Sequence, residues 1–108
     1  MRQTRINKGH KLGGVSAAIF ATDAVNNIYC NWIDWRNGNP DVYFSFSTDS
    51  GTNWSANSQI NDDQSGQEQN YCRLLSTAVG TLYACWEDNR NTKTLYDNFF
   101  CKSYDGGR

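Results

Sequence analysis

The chain is short of the residues that build most reactive centres. Among 108 residues there is one histidine, His10, one proline, Pro40, and one methionine. Zinc sites need clustered Cys and His ligands, and Cys30, Cys72, Cys85 and Cys101 have no C-x-x-C spacing. No metal and no cofactor is therefore expected, and the four thiols read as free, mostly buried groups acting as small apolar residues. Cys85 and Cys101 are the one pair worth checking for a disulfide, since they fall on neighbouring predicted strands. No apolar run approaches the length of a membrane span. The charged start Met1–Arg5 is followed by no apolar core, so no signal peptide is read and a cytoplasmic location is the default expectation. Charge of one sign is also missing. Ten basic and eleven acidic residues give a net charge of −1, which argues against a nucleic-acid partner, because such a surface needs dense positive charge. Nor is there a sustained apolar pattern at helical spacing.

What is present is aromatic and turn-rich. Four Trp, six Tyr and five Phe sit in short apolar runs separated by Gly, Asn, Asp, Ser and Thr. That pattern predicts an all-β chain. The strongest signal is internal repetition. Ile28-Tyr29-Cys30-Asn31-Trp32-Ile33-Asp34-Trp35-Arg36-Asn37 returns as Leu82-Tyr83-Ala84-Cys85-Trp86-Glu87-Asp88-Asn89-Arg90-Asn91 at an offset of 54. Arg5-Ile6-Asn7 returns as Gln59-Ile60-Asn61 at the same offset. Phe44 through Gly51 returns as Phe100 through Gly107 at an offset of 56, which implies a two-residue insertion after Asn91. The chain reads as one unit, 1–108, of two repeats, about 1–54 and 55–108. Predicted strands are Ala17–Thr22, Ile28–Asp34, Val42–Ser47 and Trp54–Ile60, then Tyr71–Ser76, Leu82–Asp88 and Leu95–Ser103. Residues 3–7 read as a further strand of the fourth type. On the third strand Val42, Phe44 and Phe46 are expected on one face, with Tyr43, Ser45 and Ser47 opposite.

Ser47-Thr48-Asp49-Ser50-Gly51-Thr52-Asn53-Trp54 fits the pattern S-x-D-x-G-x-x-W, and Ser103-Tyr104-Asp105-Gly106-Gly107 begins a second copy in register. With the repeated Trp-x-Asp-x-Arg-Asn segments, these motifs resemble the Asp-box (bacterial neuraminidase) repeats of sialidase-like β-propellers, over nearly the whole chain. The resemblance implies two four-stranded antiparallel blades, each Asp box forming the hairpin between strands three and four on the end away from any ligand. Ser47, Asp49, Gly51 and Trp54, and Ser103, Asp105 and Gly107, are expected to be structural. The carboxylate should cap its turn, Gly should supply positive φ, and Trp should plug the hairpin.

Asp34 with Arg36, and Asp88 with Arg90, follow the second strand of each repeat, on the end opposite the Asp boxes. They are the candidate ligand-face residues, since an Arg fork suits the carboxylate of an anionic sugar. The competing reading makes each Asp the pin of its own loop. No catalytic residue is assigned. Sialidases of the resembling family use an arginine cluster, an Asp acid/base and a Glu-activated Tyr, with one arginine in a Phe/Tyr-Arg-Ile-Pro motif. Thr4-Arg5-Ile6-Asn7 lacks both the aromatic and the proline. Glu87 and Asp88 are neighbours on one strand and point to opposite sides. Asp41 and Asp97 look like turn residues, and the sequon Asn53-Trp54-Ser55 lies inside a structural turn. The expected function is a non-catalytic binding or scaffold module with a glycan as candidate ligand. A sialidase-like hydrolase and an inactive part of a longer propeller are the alternatives.

Two blades leave outer faces and strand edges uncovered. The predicted partner is therefore another copy of the chain, joined head to tail so that residues 3–7 of one copy complete the last blade of the next. Propellers run from about four to eight blades, and the resemblance to six-bladed proteins favours a trimer.

Overall fold

A computed structural model describes residues 1–8, 14–63 and 66–108, so His10 lies outside the described residues. The described chain is all-β, with no helix, in two antiparallel sheets. The first sheet has the order β1 (Ile19–Thr22), β2 (Ile28–Asp34), β3 (Asp41–Ser47) and β4 (Ser58–Gln59). The second has β5 (Gln69–Ser76), β6 (Leu82–Asp88) and β7 (Asp97–Ser103). Both are simple meanders, as strands joined by short Gly- and Asn-bearing turns must be.

The sequence repeat is a structural repeat at the level of register. Phe20 faces Cys30 and Ala21 faces Tyr29; Leu74 faces Ala84 and Leu75 faces Tyr83. Trp32 pairs with Tyr43 and Asp34 with Asp41; Trp86 pairs with Phe99 and Asp88 with Asp97. The offsets of 54 and 56 are thus preserved pair by pair. The two-residue difference is taken up in the loop between the second and third strands, residues 35–40 in one sheet and 89–96 in the other.

The first turns match as well. Asp23 Oδ1 accepts the N–H of Val25 (3.1 Å) and of Asn27 (3.0 Å), with Asn26 at φ 67°. Thr77 Oγ1 accepts the N–H of Thr81 (3.1 Å), with Gly80 at φ 83°. Ala24 N–H donates to Ala78 O at 3.0 Å, tying one turn to the other across the sheets.

Alternation fixes which faces meet. Tyr29 and Ile33 on β2 and Val42 and Phe44 on β3 turn toward the second sheet, and Leu82, Ala84 and Trp86 on β6 turn toward the first. Ile60 and Leu74 pack against both buried clusters between the sheets. Burial of a large apolar side chain contributes about 1.5–3 kcal/mol each, so this seam is the main source of cohesion. On the far side of the first sheet, Cys30, Trp32 and Tyr43 form a third cluster covered by Ile6, Ala18 and Trp54.

Several boundaries differ from the sequence reading. Strand β4 is only Ser58–Gln59, because Ser55 is diverted into bonding Ser45 and Phe46 N–H through its own side chain. Strand β5 starts at Gln69, two residues early, because Gln69 N–H donates to Pro40 O at 2.9 Å and Gln69 faces Asp88. A bulge follows between Asn70 and Arg73, with Tyr71 at φ 53° and exposed. Residues 3–7, expected as a strand of the fourth type, join no ladder. Within one chain Ile6 packs on the Cys30–Trp32–Tyr43 cluster, while the ladder expected of residues 3–7 is with a second copy of the chain.

Cys85 and Cys101 are free, like Cys30 and Cys72. Cys85 faces Phe100 and Cys101 faces Ala84, so consecutive positions of the ladder put the two thiols on opposite sides of the sheet.

Candidate functional site

The two ends of each sheet carry different chemistry. Ile28 pairs with Ser47 at one end of the first sheet and Asp34 with Asp41 at the other, so the S-x-D-x-G turns and the Trp-x-Asp-x-Arg segments lie at opposite ends, as expected.

At the turn end, Ser47 Oγ donates to Asp49 Oδ1 (2.8 Å) and accepts Gly51 N–H (2.8 Å). Asp49 also accepts the backbone and side-chain N–H of Asn53, each at 2.8 Å. These Asn53 bonds, with that from Ser47, bring the Asp49 carboxyl down to about 2. Trp54 Nε1–H donates to Gly51 O at 3.1 Å, and its ring meets Phe20 edge-on. Ser50 and Gly51 have φ of 58° and 87°; Gly106 and Gly107 have 69° and 81°. In the second turn Ser103 Oγ repeats the bonds, to Asp105 and from Gly107 N–H at 2.9 Å. The Ser47, Asp49 and Ser103 side chains and the Trp54 N–H are spent on their own turns, which suits a structural role for Ser47, Asp49, Gly51, Trp54, Ser103, Asp105 and Gly107.

At the opposite end the four candidate ligand residues form two matched hubs. Asp34 and Asp88 are fully buried. Trp32 Nε1–H donates to Asp34 at 2.9 Å, and Trp86 Nε1–H to Asp88 at 3.1 Å. Each carboxylate accepts the backbone N–H two residues on, from Arg36 or Arg90, at 2.8 Å. Each also holds the guanidinium of that arginine at 2.7 Å. The guanidinium is then laid on a ring of the third strand, Tyr43 at 4.1 Å for Arg36 and Phe99 at 3.9 Å for Arg90. Burial alone would push the Asp34 and Asp88 carboxyls up, but these bonds outweigh it and hold both below the usual carboxylate value.

The hubs reach across the sheets. Arg90 Nη1 donates to Asp62 at 2.9 Å, and Arg36 Nη1 to Lys8 O at 3.1 Å, eight and sixty-two being counterparts at the offset of 54. Gln69 Nε2 donates to Asp88 at 3.2 Å, and its Oε1 accepts Asn61 Nδ2 at 3.1 Å. Asn61 Nδ2 also meets Asp41 (3.0 Å) and Asp63 (2.7 Å), while its Oδ1 accepts Val42 N–H (2.8 Å). Burial, only partly offset by Asn61 and Asn37, raises the Asp41 carboxyl.

Asp34 and Arg36 are thus brought together, as are Asp88 and Arg90, but as closed pairs with side-chain exposure of 14% for Arg36 and 19% for Arg90. The pinning reading describes this geometry better than an open sugar-carboxylate clamp. Sequence reasoning missed the ring beneath each arginine, although Tyr43 and Phe99 align at the offset of 56. It also missed the Asn61–Gln69 relay, which no motif marks. Glu87 and Asp88 diverge as expected, Asp88 buried inward and Glu87 half-exposed on the other face. Among the described residues no group of three or more His, Cys, Asp or Glu side chains is placed to hold a metal ion. No family model matches the chain, and no curated protein matches it.

Proposed function

We propose that the chain is two blades of an Asp-box β-propeller of the sialidase-like kind and serves as a non-catalytic binding or scaffold module, its copies closing the ring. One observation carries this reading: each outward sheet face is the repeat counterpart of an inward one. Tyr29, Asn31 and Phe44 are buried against the second sheet, whereas their counterparts Tyr83, Cys85 and Phe100 face outward, with Phe100 62% exposed. On the other side, Ile6 lies on Cys30 and Trp32 as Ile60 lies on Ala84 and Trp86. A second copy docked head to tail would bring the face of Cys30 and Trp32 onto that of Tyr83 and Phe100, repeating the seam within the chain. Three copies give six blades.

The absence of an open acid pair at the hubs supports binding over hydrolysis. An anionic glycan would meet the ring at the end bearing Arg36 and Arg90, beside the loops of residues 35–40 and 89–96. Light scattering at low micromolar concentration tests the assembly. The expected mass is three times 12.3 kDa, about 37 kDa, and a stable folded monomer would overturn the ring. A glycan array tests the ligand: retention of an anionic glycan supports binding, and no glycan retained leaves the scaffold role.

A further inference from the structure

Between the sheets, at the end that carries the hubs, lies a cleft of about 370 Å³. Its walls include Ile33 and Trp35 of the first repeat and Tyr71, Cys72 and Arg73 of the second. Small-molecule sites occupy about 300–1,000 Å³. At the offset of 54, Trp35 corresponds to Asn89, Tyr71 to Ala17 and Arg73 to Ile19. Asn89 is buried and spent: its Oδ1 accepts Glu68 N–H (2.7 Å) and its Nδ2 donates to Lys93 O (3.4 Å). Trp35 is held differently. Its N–H donates to Gly14 O (3.1 Å), its carbonyl accepts Gly38 N–H (3.0 Å), and its side chain packs against the buried cluster that includes Ile33 and Cys72. Its indole N–H has no partner among the described residues. Tyr71 stands in the β5 bulge at φ 53°, a left-handed conformation that bulky residues rarely take, with its side chain exposed. Arg73 forms no ion pair among the described residues. Its Nη1 donates to the carbonyl of Cys72 at 2.9 Å, which lays the guanidinium against a cleft residue and leaves its Nε–Nη2 edge unbonded. The repeat itself does not require these three residues, since Asn89, Ala17 and Ile19 fill the same positions.

We propose that this cleft is a saccharide subsite for a hexuronate unit of an acidic polysaccharide, with Trp35 and Tyr71 as its stacking rings and Arg73 as the partner of the carboxylate. The inference rests on the binding-module reading of the chain and does not depend on closure of the ring. The C–H face of a pyranose lies flat on an aromatic ring, and contact there removes apolar area from water. The unpaired indole N–H is a donor for a sugar hydroxyl. The free edge of a guanidinium offers a carboxylate two parallel N–H bonds. A hexuronate carries the matching groups on one ring: a C–H face, hydroxyls and one carboxylate. The hubs offer no such edge, because Arg36 and Arg90 are closed on Asp34 and Asp88. Arg73 is the one arginine on the cleft wall among the described residues, which sets the subsite apart from the arginine cluster of a sialidase.

The test is an NMR titration of the full ¹⁵N-labelled chain with tri(galacturonic acid). Saturable shifts are expected, with a dissociation constant on the order of 1 mM. Maltotriose, which has the C–H faces and no carboxylate, should bind about tenfold more weakly or less. Arg73→Ile and Tyr71→Ala install the residues that the first repeat carries at those positions, and both sites are exposed, so both variants should fold. Arg73→Ile should weaken the acidic trisaccharide about tenfold or more and leave maltotriose unmoved. Tyr71→Ala should weaken both. No saturation by tri(galacturonic acid), equal affinity for maltotriose, or unchanged affinity in the two variants would overturn the subsite. If sialyllactose saturates the chain instead and Arg73→Ile leaves it unmoved, the subsite fails and the binding module stands. If none of the three saccharides saturates the chain, the subsite fails and the scaffold role remains.

Discussion

Replacing Asp88 by alanine removes five bonds at once: those from Trp86 Nε1, Gln69 Nε2, Arg90 N–H, Arg90 Nε and Arg90 Nη2. The carboxylate is fully buried, so water does not stand in for it. Breaking a buried pair by deleting one partner costs about 3–5 kcal/mol, because the remaining donors are left desolvated. Against a total stability of about 5–15 kcal/mol for a domain of this size, that is a large share. At a urea m-value of about 1.5 kcal/mol/M the midpoint should fall by about 2–3 M. Asp88→Asn should fall nearly as far, since its amide turns a donor toward donors. Asp62→Ala, which removes the exposed partner of the same arginine, should leave the midpoint unchanged. The pH dependence has a definite sign. A carboxyl held below its unfolded value contributes stability that is present above about pH 4 and is lost as pH falls through the lowered native value. The gap between wild type and Asp88→Asn should therefore narrow in acid. Urea titrations followed by tryptophan fluorescence at several pH values measure all of this. A shift under about 0.5 M for Asp88→Ala would refute the hub argument and return Asp88 and Arg90 to the pool of open ligand groups.

Asp49→Ala should lower the urea midpoint at pH 7 without altering ligand binding, and the difference should vanish as pH falls from about 4 to about 2, where the native carboxyl itself protonates. Ser50→Gly should stabilise the fold by about 0.5–1 kcal/mol, since Ser50 sits at φ 58° where its counterpart is Gly106; a loss in thermal melts would count against this. Asp41→Asn should gain stability that grows as pH rises above about 4, because a raised carboxyl costs the folded state its charge; urea midpoints at pH 4 and pH 8 decide it. Four thiols should titrate in the denatured chain without reductant. Cys30 and Cys72, pushed up by burial to about 12 and about 11, should wait for unfolding.

The ladder registers were legible because the repeat is a register: once Trp32 aligned with Trp86 and Phe44 with Phe100, alternation set every face between them. Opposite ends for the S-x-D-x-G turns and the Trp-x-Asp-x-Arg segments followed from strand direction alone. Strand edges were less legible. Gln69 gains its place in β5 from bonds to Pro40 and Asp88, partners far away in sequence, and Ser58–Gln59 is all that remains of a fourth strand whose pattern runs from Trp54 to Ile60. The hubs were half legible. Type and spacing gave Asp and Arg, but burial decides whether that pair is a clamp or a pin, and burial depends on Asn61, Gln69 and a ring on the neighbouring strand.

The loop that grows from residues 35–40 in one sheet to 89–96 in the other does so without moving one ladder pair. The hub explains this tolerance, because the carboxylate that ends the second strand fixes the first two residues of the loop and the paired aspartate that opens the third strand resumes the frame. What lies between varies in length, with Asn37 and Asn91 each bonding the aspartate that opens the third strand and Gly38 at φ 91°. A mutational library confined to residue 39 and residues 92–95 should therefore yield folded variants at high frequency. One of the same size spread over the S-x-D-x-G turns should not, since there Ser47, Asp49 and Ser103 hold the turn through their own bonds. Selection acting on such a chain would diversify one rim and hold the other constant. That asymmetry makes the loop rim the place to graft a binding sequence onto this framework.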